Sequence, residues 1–510
     1  MTVKRVVLAV LTAIAVAKMA LDLGSSLAQP QVQARLQLYQ TDLTLHITEL
    51  AAERFEPIEP RQLETAREAL LGDDPYQAAL QQYRQVRETV ASQRSSLQAR
   101  SRVAAEAAEE ASASPARQQL REAKRRLTEL DLKMGLLQAQ RGNVEAAQQT
   151  WREAVQAASD GDRARTARVL TGLWQQPPQV PAHAEATLKA NLDGWFRYRS
   201  LRQLYRLQAR PQALQSLQSL QARERARAKG AAVKLALVAL VPGVGSLIGI
   251  GLLVFVLVQR ALRGSDSLLA ANSSVRWETP WDWETTWQVL VVGFFAIGQI
   301  LLPLAFGLSG FNPSGLDVRG KALYVLASYG LMAAGGFYVL YRFLKPYLPL
   351  PAGWFRLRLR DSWLAWGLGG YAVALPLVLL VSALNQQIWQ GQGGSNPILF
   401  LALQAQDPLA LGIFFVTAAI AAPAFEEAIF RGFLLPSLTR YMPVWGAIIA
   451  SSLLFSIAHL TPSEVLPLAA LGLILGVVYT RSRNLLAPIL LHGLWNSGTL
   501  VSLYVLGSGA

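Results

Sequence analysis

The 510-residue chain contains no cysteine, which removes disulfides, thiolate nucleophiles and thiolate metal sites together. Histidine is almost as scarce, with four in the whole chain, so a metal would have to be held by His, Glu or Asn. Acidic residues are outnumbered by basic ones, 34 against 48, giving a formal charge of +14. That excess does not call for nucleic acid, because many of the arginines flank apolar runs, where topology and anionic lipid headgroups account for them.

What the chain does have is apolar length, unevenly spread. Residues 29–230 are rich in Gln, Arg, Ala and Glu, whereas residues 231–510 carry apolar runs at 231–258, 287–307, 322–343, 363–384, 408–425, 444–460, 465–480 and 485–506. Several approach the ~20 residues needed to cross a bilayer. The expected fold class is therefore all-α: a polytopic transmembrane helical bundle behind an N-terminal soluble helical domain. The expected division is 1–28 as a signal anchor or signal peptide, 29–230 as the helical domain, 231–396 as the first transmembrane helices, and 397–510 as a core carrying the chemistry.

At the N-terminus, Lys4 and Arg5 precede the apolar run Val6 to Ala17. That is the layout of an uncleaved anchor, of a signal peptide cleaved after Ala-Val-Ala at 15–17, or of an interfacial amphipathic helix. In the soluble region, prolines at 115, 177, 178, 181 and 211 predict breaks between helices. Leu132 to Ala157 reads as a helix, a Gly-Asn turn and a second helix. It resembles a tetratricopeptide repeat, with the Ala147/Trp151 pair echoed by Ala79/Tyr83 at twice that repeat's 34-residue period. Helical hairpins without repeat ancestry explain the pattern equally well. Either way the region is expected to contact a protein partner, since His46 and His183 stand alone and nothing there gathers catalytic groups.

The short loops sort by charge. Arg260, Arg263 and Arg276, then Arg342, Lys345, Arg356, Arg358 and Arg360, then Arg440, then Arg481 and Arg483 fall on one side, and 385–407 and 461–463 contain no Lys or Arg. The basic side is expected to be cytoplasmic. If the first segment spans, the helical domain lies opposite; if it does not, that domain is cytoplasmic. The tryptophan-dense linker Trp277 to Trp287 predicts an interfacial anchor, and Arg356, Arg358 and Arg360 predict contact with lipid headgroups.

Glu426, Glu427 and Arg431 sit inside apolar sequence, where a charge near the bilayer centre costs at least about 2.5–3.5 kcal/mol. Counted at 1.5 Å per residue, Glu426 lies about 21 Å from Arg440, His459 about 24 Å from Pro443, and His492 and Asn496 about 14 and 20 Å from Arg483. Three helices can therefore bring Glu426, His459, His492 and Asn496 towards one layer. His492 and Asn496 share a helix face. Glu426 and Glu427 diverge by about 100°, so one faces the site and the other a structural partner. Arg431, at i+4, is the natural ion-pair partner of Glu427, which leaves Glu426 for chemistry. Taken alone, the residues fit a hydrolytic site and polar contacts between helices equally.

Glu426-Glu-x-x-x-Arg431, Phe455-x-x-x-His459 and His492-x-x-x-Asn496, in that order, resemble the three motifs of the CPBP family of intramembrane proteases, the CAAX-protease and bacteriocin-processing (Abi) family. The likeness covers roughly residues 397–507 and is fullest over Gly472 to Asn496, which resembles the family's last two helices. It implies proteolysis by water; eukaryotic members remove the last three residues of prenylated CAAX proteins. Carried over by motif, Glu426 and His459 would activate the water, His492 and Asn496 would stabilise the oxyanion, and Glu427, Arg431 and Phe455 would support them. An apolar cavity makes a glutamate a stronger base, and Asn and His can donate to a developing oxyanion. Members are often called metalloproteases, and Glu426, His459 and His492 could hold zinc with one open position. The chain lacks an H-E-x-x-H helix, however, and no cofactor is the preferred reading. Expected partners are the bilayer, a membrane-associated or lipidated protein substrate, and a protein bound by 29–230. Two rivals remain: a non-proteolytic scaffold that recruits partners through 29–230, and a proton pathway, which the few ionisable residues between 287 and 425 disfavour.

Overall fold

A computed structural model describes residues 2–27, 29, 31, 37–38, 40–42, 44–45, 74–106, 110–158, 161–311, 313–389, 391–396, 398–399, 401 and 407–507. His46 lies outside them. The described residues are helical, with no strand among them.

An N-terminal helix, α1 (Val3–Ser26), precedes a soluble stack of α2 (Pro75–Glu106), α3 (Glu110–Gln140), α4 (Val144–Ala157), α5 (Gly161–Trp174), α6 (Ala184–Asn191) and α7 (Gly194–Leu207). The predicted helix–turn–helix forms between α3 and α4. Gly142 takes φ +81°, which a side chain would resist, and Asn143 caps α4 by accepting from the Ala146 N–H at 3.2 Å. Ala147, Trp151, Ala79 and Tyr83 are all buried in one core with Trp195 and Phe196. Trp151 needs a glycine opposite it, since a Cβ on Gly135 would lie 2.2 Å from its indole nitrogen. Of the prolines expected at breaks, 177–181 lie between α5 and α6, but Pro115 lies in the second turn of α3, where its missing N–H costs a single helical bond.

The next helix, α8 (Pro211–Arg263), is 53 residues long and runs unbroken through the expected 230/231 boundary into apolar sequence. It is followed by α9 (Trp283–Leu308), α10 (Val318–Leu344), α11 (Trp363–Trp389), α12 (Pro408–Leu438), the shorter α13 (Val444–Ile457), α14 (Val465–Ser482) and α15 (Leu486–Gly507). Seven helices among the described residues, α1 and the apolar part of α8 included, are long and apolar enough to cross a membrane. Large apolar side chains on α1 and α8 point outward, Leu247 being 72% exposed, as suits a lipid-facing surface.

Contacts between loops define two ends of this bundle. At the basic end, Lys4 and Arg5 pair with Glu284 at 3.5 and 2.9 Å, Arg440 donates to the Thr279 and Trp281 carbonyls, and the strip 356–358 hydrogen-bonds to Asn484 and Leu485. At the opposite end, the Leu27 and Gln29 carbonyls accept from Gly393 and Gly394, and Ser463 bonds to both of those glycines. The helical domain meets the same end: Gln392 Nε2 donates to Ser92 Oγ of α2 at 2.9 Å.

The tryptophan linker corrects an expectation. Trp281 is fully buried, 4.4 Å from the Trp354 ring and donating to Ser437 Oγ at 3.0 Å; Trp277 is buried beneath Arg483, 3.4 Å from its ring centre. Trp283 is the exposed one, at 58%. Two indoles therefore pack against the end of α12 and α14 instead of sitting among headgroups, because each buries more surface there while its N–H finds a protein acceptor.

Candidate active site

The acids lie on α12, in the short α-helical stretch Ala422–Glu427 between two π-helical stretches, Val416–Ala421 and Ala428–Leu434. Wider turns leave carbonyls off the normal ladder, and side chains of neighbouring helices use them. Asn496 Nδ2 donates to the Ala418 carbonyl at 2.7 Å and Ser451 Oγ to the Phe430 carbonyl at 3.0 Å. Between His492 and Asn496, Gly493 lets α15 approach: a Cβ there would stand 2.7 Å from the Ala419 carbonyl oxygen.

The structure brings Glu426, His459 and His492 together. Glu426 Oε2 faces His459 Nε2 at 3.9 Å and His492 Nε2 at 4.0 Å, and this oxygen is buried with no hydrogen-bond partner among the described residues. His459 follows the end of α13, where Leu460 at φ +56° turns the chain towards the 461–464 segment at the opposite end of the bundle. Its Nδ1 meets the Phe455 carbonyl at 2.9 Å; a carbonyl can only accept, so Nδ1 carries the proton and Nε2 presents a lone pair when the ring is neutral. His492 Nδ1 meets Glu427 Oε1 at 2.8 Å, which fixes the same tautomer.

Glu427 pairs with Arg431 at 2.9 Å, both side chains wholly buried. It also does more than the one-acid-per-role expectation allowed. The two carboxylates flank a single imidazole, Glu426 on the Nε2 side and Glu427 on the Nδ1 side, because His492 enters from α15 between the two diverging directions. Arg431 further donates to the Gly472 carbonyl at 3.2 Å and lies 4.3 Å from the Phe455 ring centre. Phe455 is the shared wall of the site, with His459 at 4.9 Å and His492 at 5.6 Å against its ring. Asn496 sits one turn beyond His492, its amide held by Ala418 rather than by the imidazoles. His183 lies far off in the turn before α6.

The donor types of Glu426, His459 and His492 suit zinc, but the edge of a tetrahedral zinc site is about 3.4 Å for bonds near 2.1 Å. The 3.9 and 4.0 Å separations are wider than that, and no three His or acidic side chains among the described residues are grouped to hold an ion. As placed, they form an open carboxylate–imidazole cluster. One contributor escaped the sequence reading: Tyr329 of α10 donates to Glu426 Oε1 at 3.0 Å. A hydroxyl in the middle of an apolar run, needing a partner, was the available signal.

The model of the type II CAAX prenyl endopeptidase Rce1-like family matches residues 408–498. They hold Glu426, His459, His492 and Asn496, while α10 with Tyr329 lies outside them. The chain is similar to the membrane-embedded CAAX protease MroQ of Staphylococcus aureus (strain USA300), 29% identical over 142 residues, which are 27% of this chain and 56% of MroQ. It is similar to the putative membrane peptidase YdiL of Bacillus subtilis (strain 168), 23% identical over 43% of this chain and 87% of YdiL. An uncharacterized 24.3 kDa protein of Escherichia coli is 43% identical over 15% of this chain and 38% of its own length. The chain thus spans about half the length of MroQ and less of the Escherichia coli protein. No solved structure matches it significantly. With seven helices among its described residues long and apolar enough to cross a membrane, and with its similarity to membrane proteases, the chain is an integral, multi-pass membrane protein.

Proposed function

We propose that the C-terminal helices of this protein form an intramembrane endopeptidase that hydrolyses peptide bonds of membrane-associated protein substrates. One observation carries the reading: a buried carboxylate oxygen without a hydrogen bond, faced by two imidazole Nε2 atoms at 3.9 and 4.0 Å. Those separations exceed a hydrogen bond and are the spacing at which one water joins two polar groups. A buried polar atom left unmatched calls for an explanation, and a catalytic role is one.

Glu426 Oε2 takes one proton of a water as it attacks the scissile carbonyl, while His459 Nε2, a lone-pair bearer when its ring is neutral, accepts a hydrogen bond from the water's other O–H and orients it. The proton then passes to the leaving amine. His492 with Nε2 protonated, and the second N–H of the Asn496 amide, donate to the oxyanion. Glu427 balances that imidazolium through Nδ1, in the manner of the buried acid of a catalytic triad. Asn496 keeps one amide hydrogen on Ala418, which fixes the direction of the other.

The helical domain recruits the substrate or its adaptor. It touches the bundle at the end where His459 turns into 461–464, and the 391–396 loop links the two by bonding Ser92 on one side and Ser463 on the other. By the positive-inside rule the basic end is cytoplasmic, so this domain faces away from the cytoplasm. The test compares wild type with Glu426→Ala, expressed equally in a strain lacking the native protein, by proteomics of membrane-protein termini. Termini lost in the variant identify the substrates. Identical termini, with the phenotype rescued by both proteins, would replace the protease by a scaffold acting through 29–230.

A further inference from the structure

Tyr329 is unexplained by the matched domain. It stands on α10, outside residues 408–498, yet among the described residues it is the one side chain hydrogen-bonded to Glu426, its phenol 3.0 Å from Oε1. Its placement is built from below. Seven residues on, and so on the same helix face, Gly336 meets the Phe425 ring so closely that a Cβ would lie 2.7 Å away. The Tyr329 ring then stands edge-on to the same Phe425 ring, with centroids 6.2 Å apart. Phe425 is the residue before Glu426, so the Gly336–Phe425 contact sets both the separation and the register of α10 against the acid.

Other groups reach Glu426 from different directions. His459 from the end of α13 and His492 from α15 face Oε2, and on α12 itself Glu427 and Arg431 pair with each other. Oε1 belongs to Tyr329, and Oε2 is left to the imidazoles. A carboxylate with one oxygen anchored cannot swing, and a base offset by an ångström loses rate steeply.

We infer that Tyr329 is a positioning residue of the hydrolytic site, anchoring Oε1 of Glu426 so that Oε2 is the atom presented to water. The inference rests on the protease reading above. Its test uses full-length protein in detergent and a quenched peptide copied from the terminus most depleted in the Glu426→Ala strain. Tyr329→Phe keeps the ring on Phe425 and removes one oxygen. A lost hydrogen bond to a charged group corresponds to about a ten- to hundredfold fall in kcat, with KM and the melting temperature unchanged. An inactive Glu426→Gln beside a fully active Tyr329→Phe overturns the assignment alone. A Tyr329→Phe that loses rate only in step with its melting temperature also overturns it, by making the tyrosine a packing residue. A Glu426→Gln as active as wild type removes Glu426 as the base and overturns this inference with it, whereas a wild-type protein that leaves the peptide uncut overturns the protease reading itself.

Discussion

Arg431→Met is the sharpest perturbation of this site. The guanidinium is wholly buried, bonded to Glu427 at 2.9 Å and to the Gly472 carbonyl at 3.2 Å, and lies over Phe455. Removing it leaves the buried Glu427 carboxyl without its cation, with the His492 Nδ1–H as its remaining hydrogen-bond donor. Breaking a buried pair from one side costs about 3–5 kcal/mol, two to four powers of ten in the folded population. Deleting both partners is different, since a buried pair replaced by neutral groups of similar size is close to neutral. Glu427→Gln with Arg431→Met should therefore recover most of the lost stability. It should not recover hydrolysis, because His492 then lacks the carboxylate that balances its charge. Reversible unfolding in mixed micelles gives the stabilities, and cleavage of the quenched peptide gives the rates. A double variant as unstable as Arg431→Met would refute the ion-pair argument, and one that cleaves like wild type would refute the role given to Glu427.

Three further outcomes are expected. Hydrolysis should survive exhaustive chelation, because 3.9 and 4.0 Å separations are wider than a zinc site; loss of activity restored by added zinc would refute this. A chain without cysteine gives a clean background for Ser92→Cys with Gln392→Cys, and a short bifunctional thiol reagent should link them, since the native side chains are 2.9 Å apart; failure to link would undo the docking of the helical domain on the 391–396 loop. In the helical domain, hydrogen bonds from Lys189, Arg210 and Tyr205 hold the Glu185 carboxyl down at about 2. With the folded value below the unfolded one, its contribution is present above about pH 4.5 and lost as pH falls towards 2. Glu185→Gln should thus destabilise at pH 7, by under about 1 kcal/mol for so exposed a group, and lose its effect near pH 2, read by tryptophan fluorescence melts across pH.

Much of this was already written in the chain. Apolar length and the scarcity of charge determined a membrane bundle, because a bilayer admits only helices long enough to satisfy their own backbone within it. The i, i+4 spacing determined the Glu427–Arg431 pair, and similar distances from the loop ends determined that Glu426 and His459 lie at similar depth, since both follow from helix geometry alone. The turn at Gly142-Asn143 was legible for the same local reason. What the tertiary structure alone decided is who stands beside whom across helices. Nothing in sequence spacing relates Tyr329 to Glu426, or places both carboxylates on one imidazole, because these contacts depend on helix rotation set by Gly336 against Phe425 and Gly493 against Ala419. The tryptophans of the linker went the same way: composition sent them to the headgroup layer, and a packing site against α12 and α14 took two of them inside.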